Sequence, residues 1–383
     1  AIAWPALRSR PPPTRWHTAR AASPLAQESV DAVTGDEFAR RSSMTVHIVR
    51  NRRILVKRDD LCRLAGCGVS GNKARKLLTL NRASSDAIPD TIASHGGPQS
   101  NAMLALAAVA NFKGKRFIYF TKSLPRWLRQ NPSGNFLRAT ALGMELRQLS
   151  PTKYQQLFGG ADGIAEQPQD LDLPEEALWV PQGGATIDAE LGCAVLAKEI
   201  HEEWRTSDAF AQFREPLNGE NADGRQQRLC VVVAAGTGTT ALFLARWLTP
   251  LNISVVAVPC LGSPAYLQRQ MEKLDEQTGG VGIFPHVLEP PRGSRPFGKP
   301  RKGLLSVWNY LRDSATLTVD LIYGARAWEV LFDSWKDLPP PLSGAQIIYY
   351  HCGGLEGTSS QLARYKREGL LPSGWLPPGV TDG

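Results

Sequence analysis

From about residue 46 onward, short runs of apolar, often β-branched residues alternate with longer stretches whose apolar positions recur at helical spacing. The strand-type runs fall at 54–57, 91–94, 116–121, 229–235, 253–258, 317–322 and 346–351. Between them, 73–83, 99–111, 188–204, 239–248 and 325–335 read as helices. Parallel neighbours need a crossover, and a helix is the usual one, so this alternation predicts an α/β protein: two open, mainly parallel twisted sheets with helices on both faces. Two polar or Pro/Gly-rich stretches, 205–228 and 289–303, read as surface excursions. The chain contains no internal repeat and no apolar run near the ~18 residues that would span a bilayer. No membrane partner is expected.

At 383 residues the chain exceeds the usual size of one core, and two domains sharing one α/β body are expected. The division expected is a large domain of 28–75 plus 185–383 and a small α/β domain of 76–184. Residues 1–27 hold Arg8, Arg10, Arg15 and Arg20 and no acid, a composition that resembles organelle transit peptides, although a disordered tail has the same look. A mitochondrial or plastid location is the expectation from such a leader, and a cytoplasmic one without it. The net charge of +8 changes little, because that leader and a second acid-free cluster (Arg292, Arg295, Lys299, Arg301, Lys302) account for it. No basic groove with interleaved aromatics is visible, so no nucleic-acid partner is expected. The six cysteines are scattered without a C-x-x-C pair, several in apolar strands, which suits a reducing compartment and no metal site.

Two Gly-rich turns carry candidate chemistry. The apolar run 229–235 leads through Gly236-Thr237-Gly238-Thr239-Thr240 into a helix, and glycines with free N–H groups at a helix N-terminus form an anion cup. Gly236-x-Gly238-x-x-Ala241 also satisfies the dinucleotide fingerprint, but the next strand ends Val258-Pro259-Cys260 without the acid that would bind a ribose. A nicotinamide oxidoreductase therefore survives only as an alternative. The second turn, Gly66-Cys67-Gly68-Val69-Ser70-Gly71-Asn72-Lys73, departs from a nucleotide-triphosphate loop at Asn72 and Ala74. It leaves Lys73 at the mouth of a helix, where the dipole lowers an amine's pKa and favours the neutral form that Schiff-base chemistry needs.

Six motifs in order give these turns a context: Ser-Gly-Asn-Lys-Ala-Arg-Lys at 70–76, Gly-Gly-Pro-Gln-Ser-Asn at 96–101, Gly-Asn-Phe-Leu at 134–137, Gly-Gly-Ala at 183–185, the 236–240 cup, and His-Cys-Gly-Gly-Leu-Glu-Gly at 351–357. Over about residues 46–367 the chain resembles the 1-aminocyclopropane-1-carboxylate deaminase/D-cysteine desulfhydrase family, pyridoxal-phosphate (PLP) enzymes with the tryptophan-synthase-β fold (type II). The resemblance implies that Lys73 carries PLP as a Schiff base and moves the substrate proton. It implies that Gly236, Thr237, Gly238, Thr239 and Thr240 hold the cofactor phosphate and that Asn101 contacts the pyridine 3′-oxygen. The resemblance further implies that Gln99, Ser100 and Asn101 bind the substrate, with Ser100 beside its carboxylate or acting on it, and that Tyr323 is the tyrosine that faces the reacting carbon. Locally, Ser100 and Asn101 also read as helix capping and Tyr323 as core packing. A homodimer acting on a small amino acid is expected.

Two departures bear on the reaction. Gly324 follows the tyrosine where cyclopropane deaminases usually carry Glu, and Cys352 stands where the family commonly has Thr, Leu or Gln. A weak partner at the pyridine nitrogen makes a weaker electron sink, which favours expulsion of a good leaving group over carbon–carbon bond cleavage. The expected activity is thus a lyase or deaminase reaction, β-elimination of D-cysteine or a related β-substituted amino acid to pyruvate and ammonia. Cyclopropane deamination is the alternative, and a PLP-binding protein of little turnover a third. On this reading Gly324→Glu shifts activity toward the cyclopropane substrate, and Gly238→Val excludes the phosphate without disturbing the fold.

Overall fold

A computed structural model describes residues 30, 33, 35–159, 167–214, 228–291 and 296–371. The leader-like segment 1–27, Arg292 and Arg295 lie outside them. The strands are β1 (Phe38–Arg40), β2 (Met44–Val49), β3 (Arg52–Lys57), β4 (Arg63–Leu64), β5 (Thr91–His95), β6 (Arg116–Lys122), β7 (Met144–Leu149), β8 (Leu178–Val180), β9 (Leu229–Ala235), β10 (Ile253–Pro259), β11 (His286–Val287) and β12 (Gln346–Tyr350). Apart from the small β1–β4 pair they form two sheets, a six-stranded one in the order β11-β10-β9-β12-β3-β2 and a four-stranded one in the order β7-β6-β5-β8. Every pairing in the two is parallel except β2 with β3. The four-stranded sheet is built wholly between Thr91 and Val180, whereas the larger sheet takes strands from both sides of that stretch.

β9 shows why the apolar pattern dictates burial on both faces. Val231, Val233 and Ala235 point into one core with Leu191 and Leu242, while Cys230, Val232 and Ala234 point into a second core with Trp308, Trp328 and Tyr349. A period of two with both sets apolar is the signature of a strand covered on each side. The helices Ala189–Thr206 and Thr239–Leu248 cover the first face, and Lys302–Ser314 with Gly324–Asp333 cover the second. Each such valine contributes about 1.5–3 kcal/mol of burial.

Residues 317–322, read from the sequence as a strand, form none: they run as irregular chain and turn into the Gly324–Asp333 helix. Asp320 explains the difference, because its buried carboxylate accepts the N–H groups of Ile322 (2.9 Å), Tyr323 (2.7 Å) and Gly324 (2.8 Å) and so folds the segment back on itself. The expected helix at 73–83 is two, Gly71–Lys76 and Leu78–Arg82, broken at Leu77.

Behind the first of these helices lies a buried ion network. Arg75 donates to both oxygens of Asp59 (2.9 and 2.9 Å) and of Glu199 (2.9 and 2.7 Å), and Tyr350 Oη donates to Asp59 (2.7 Å). Lys57 adds Glu199 at 3.0 Å and Glu203 at 3.2 Å. The helices themselves cross closely: a Cβ on Gly192 would stand 1.8 Å from the Arg75 carbonyl oxygen. Only glycine allows that approach.

Candidate active site

The carboxyl ends of strands from both sheets open onto one cleft of about 630 Å³, the place where open α/β sheets gather ligands. β9 delivers the turn 236–240, β12 delivers Cys352 and the Gly353-Gly354 turn, and the segment after β5 delivers Gly97 to Asn101. Lys73, Gln99, Ser100, Asn101, Gly236, Thr237, Gly238, Thr239, Thr240, Tyr323 and Cys352 all line it. The residues singled out in the sequence thus share one wall system although they span 280 positions of the chain.

Lys73 is fixed from below. Gly71 has φ of +65°, and a Cβ there would meet the Cys352 carbonyl oxygen at 2.3 Å; the Asn72 N–H donates to that same oxygen at 2.9 Å. The helix that carries the lysine is therefore stitched to the β12 turn, backbone against backbone. Lys73 Nζ donates to Asn72 Oδ1 (3.1 Å), and burial lowers its pKa against the opposing pull of Cys352, Cys193 and Asp320. The direction matches the sequence expectation, but desolvation is the leading cause rather than the helix dipole.

The cup combines glycine backbone and hydroxyls. Gly238 adopts φ of +77° and initiates the Thr239–Leu248 helix, and Thr237 Oγ1 lies 2.9 Å from Thr239 Oγ1. Thr240 Oγ1 is buried without a hydrogen-bond partner among the described residues. A buried hydroxyl left unpaired at a helix N-terminus suits an anionic group in the cup, and a phosphate fits this donor set. Gly238 itself serves packing: a Cβ would meet Met271 Cγ at 2.4 Å and Leu267 Cδ1 at 3.0 Å, so it faces the neighbouring helix and not the cup interior. The expectation that Gly238→Val acts by excluding phosphate is corrected accordingly. Gly236 lets the Tyr323 ring lie close, its Cε1 being 3.1 Å from where a Cβ would stand.

Other side chains have definite partners. Gln99 spans to the segment at 133–136, donating to Ser133 O (2.9 Å) and accepting from the N–H of Asn135 (2.9 Å), so its amide braces the cleft wall. Asn101 Oδ1 accepts from Asn135 Nδ2 at 2.7 Å. Ser100 Oγ caps the Asn101–Phe112 helix, accepting from Ala102 N and Met103 N at 3.2 and 3.3 Å, and lines the cleft as well. Burial pushes the Tyr323 phenol well above its ordinary range and the Cys352 thiol up to about 12, so both are protonated at neutral pH.

Three contributors escape a reading of the sequence. Lys76 lines the cleft one turn after Lys73, donates to Gly183 O at 3.0 Å, and is lowered to about 7 by burial and by Lys73. Its signal was the second lysine of the 70–76 motif. Asp320 is a cleft carboxyl whose pKa burial raises against its three backbone N–H donors, three residues before the tyrosine. His351 is a strut: Gly353 N donates to its Nδ1 (3.1 Å), which leaves the Nε2 hydrogen for Thr318 O at 2.6 Å. Gly324 points away from open space, since a Cβ would stand 2.6 Å from Val319 Cβ and 3.1 Å from Asp320 Oδ2. Gly324→Glu is thus not a clean exchange.

No family model matches the chain. It is 24% identical over 307 residues, 79% of this chain and 72% of the other, to the mitochondrial bifunctional D-cysteine desulfhydrase/1-aminocyclopropane-1-carboxylate deaminase of Arabidopsis thaliana. A 1-aminocyclopropane-1-carboxylate deaminase of Ralstonia pickettii is 23% identical over 326 residues, 82% of this chain and 89% of that one. Among solved structures, an ACC deaminase homologue superposes with a TM-score of 0.61 at 21% identity over 85% of this chain and 94% of its own. A fungal L-serine ammonia-lyase from Rhizomucor miehei gives 0.53 at 12% identity over 87% of this chain and 99% of its own. The fold is that of the type II pyridoxal-phosphate enzymes, two parallel sheets with a shared cleft. Within that class the relatives it matches carry the names of 1-aminocyclopropane-1-carboxylate deaminases and D-cysteine desulfhydrases, and the chain is similar to that family of PLP-dependent lyases and deaminases. Among the described residues no helix is long and apolar enough to cross a membrane.

Proposed function

We propose that the chain binds PLP in this cleft and catalyses β-elimination from a small β-substituted amino acid, D-cysteine first. The observation that carries the reading is the buried, depressed amine of Lys73 in one cleft with the Gly236–Thr240 cup, whose Thr240 hydroxyl lacks a partner among the described residues. Pyridoxal phosphate, when bound, supplies an aldehyde for the amine and an electron sink for the Cα–H bond. The cup and Lys76 would hold its phosphate, and Asn101, steadied by Asn135, would reach its 3′-oxygen. Lys73 would hold the cofactor aldehyde in the resting enzyme and afterwards take the Cα proton, roles helped by the burial that lowers the pKa of its amine. The Ser100 hydroxyl, whose oxygen already accepts from its helix, would donate its hydrogen to the substrate carboxylate. Tyr323 stays protonated and offers a proton to the departing sulfur. D-Cysteine and water thereby give pyruvate, ammonia and hydrogen sulfide.

Cyclopropane deamination is the second reading, favoured by the name of the Ralstonia pickettii relative. Cys352 speaks for elimination: a thiol held neutral would hydrogen-bond the pyridine nitrogen only weakly, and the ring would then be a modest sink that suits a thiolate leaving group better than a ring carbon. Under matched conditions the protein releases sulfide and pyruvate from D-cysteine and little 2-oxobutyrate from 1-aminocyclopropane-1-carboxylate. Faster turnover of the cyclopropane substrate would reverse the two readings. Borohydride reduction followed by peptide mapping is expected to label Lys73, and a pyridoxyl group on Lys76 instead would overturn the division of roles between the two lysines.

A further inference from the structure

Among the described residues the cleft carries four basic side chains, Lys73, Lys76, Arg364 and Arg367, against two carboxyls, Asp320 and Glu368. Lys73 and Lys76 belong to the cofactor end. At the outer end Arg364 is committed: its Nε pairs with Glu368 at 3.2 Å and its Nη1 donates to Gly298 O at 2.7 Å. Arg367 is not. Its guanidinium lies 4.1 Å over the ring of Trp127, and among the described residues no carboxylate pairs with it. The two side chains come from different elements, Arg367 from the last turn of the Thr358–Arg367 helix and Trp127 from the Arg126–Gln130 helix beyond β6. An arginine stacked on an indole keeps its planar fork oriented and its N–H edge open, an arrangement that recognises carboxylate, sulfonate or phosphate.

A three-carbon amino acid held by its carboxylate at Ser100 has no group to reach a second cation, and the cleft is larger than such a substrate needs. We infer that Arg367, seated on Trp127, binds a second anionic group on the substrate, so that the preferred substrates are amino acids whose β-substituent ends in a negative charge. This deepens the elimination reading and rests on it: D-cysteine, which lacks that charge, becomes a minimal substrate outside the preferred class, and in the preferred substrates the group that leaves is the one Arg367 holds. The leaving group departs with its bonding electrons as the Cα proton goes to Lys73, and a sulfur or oxygen anion is released toward the cleft mouth.

The test compares PLP-loaded protein and its Arg367→Gln variant on charged and neutral partners of similar size, both enantiomers of each: O-phosphoserine and S-sulfocysteine against O-methylserine and S-methylcysteine. Calorimetric affinity and pyruvate release are read separately. The substitution is expected to weaken binding and raise KM for the charged ligands about tenfold or more, as loss of a charge-assisted pair does, with the neutral ligands within about twofold. Arg367→Lys, which keeps charge but loses the fork, recovers part of the difference. Charged and neutral ligands weakened alike, or no change for either, would overturn the inference. Absence of pyruvate from every compound, with the charge-selective binding intact, would instead sink the elimination reading and leave the anion site standing.

Discussion

Lys76 is the residue whose environment makes the sharpest statement about the protein without its cofactor. Burial and the neighbouring Lys73 lower its pKa to about 7, whereas an unfolded chain returns it to the ordinary lysine value near 10.5. Between those limits the unfolded state binds the extra proton, so stability rises with pH through that window, and below about 7 both states are protonated and the slope vanishes. Denaturant titrations of cofactor-free protein from pH 7 to 10 should therefore give a steeper rise for the natural chain than for Lys76→Met. Equal slopes would mean that the amine is charged in the folded protein, held by something other than Gly183 O. A phosphate in the adjacent cup opposes the burial and restores the charge, so saturating PLP should flatten the difference.

At the level of elements, the glycines of the cup and of the crossing helices divide into two kinds. Gly238→Val sets a branched side chain at φ of +77° and 2.4 Å from Met271 Cγ, and is expected to cost about 1–3 kcal/mol of overpacking plus the strain of the left-handed backbone. Combining it with Met271→Ala should recover part of that loss; if cofactor exclusion were the cause, the second change would recover nothing. Such distinctions mark the limit of what the sequence discloses. The strands β5, β6, β9, β10 and β12 were legible because their apolar runs are bounded by turns, and the lysine and cup because glycines announce a close approach. The false strand at 317–322 has the same apolar look, yet Asp320 inside it turns the chain through three side-chain to backbone bonds, an outcome that depends on burial no periodicity reports. Strands β2, β7 and β8 went unread, β7 because Glu145 and Arg147 interrupt its apolar run with charges that pair on an exposed face. The direction of a glycine's missing side chain, toward Met271 at 238 and toward Val319 at 324, was likewise closed to a reading of the sequence.

For the molecule as a whole, the helix bearing Lys73 is anchored through charges buried far from water. Burial alone would raise the pKa of Asp59, but Arg75 and Lys57 outweigh it and hold the carboxyl below its ordinary value. The stability this supplies is present above the unfolded carboxylate pKa and lost as pH falls through the lower folded one. Asp59→Asn strands Arg75 beside a neutral amide and is expected to cost about 3–5 kcal/mol in denaturant unfolding. A cost under 1 kcal/mol would show that Glu199 alone suffices. The cup has the opposite character: the anion seat we propose there is largely peptide N–H, and among the coded residues proline alone removes a peptide N–H, constraining φ as it does so. A saturation screen of this protein would score positions 236 to 238 by how new side chains jostle Tyr323, Gly183 and Met271, and would report a packing problem where the chemistry is recognition. Replacing single backbone amides by esters removes the N–H without proline's constraint on the backbone, a perturbation open to chemistry and closed to the genetic code.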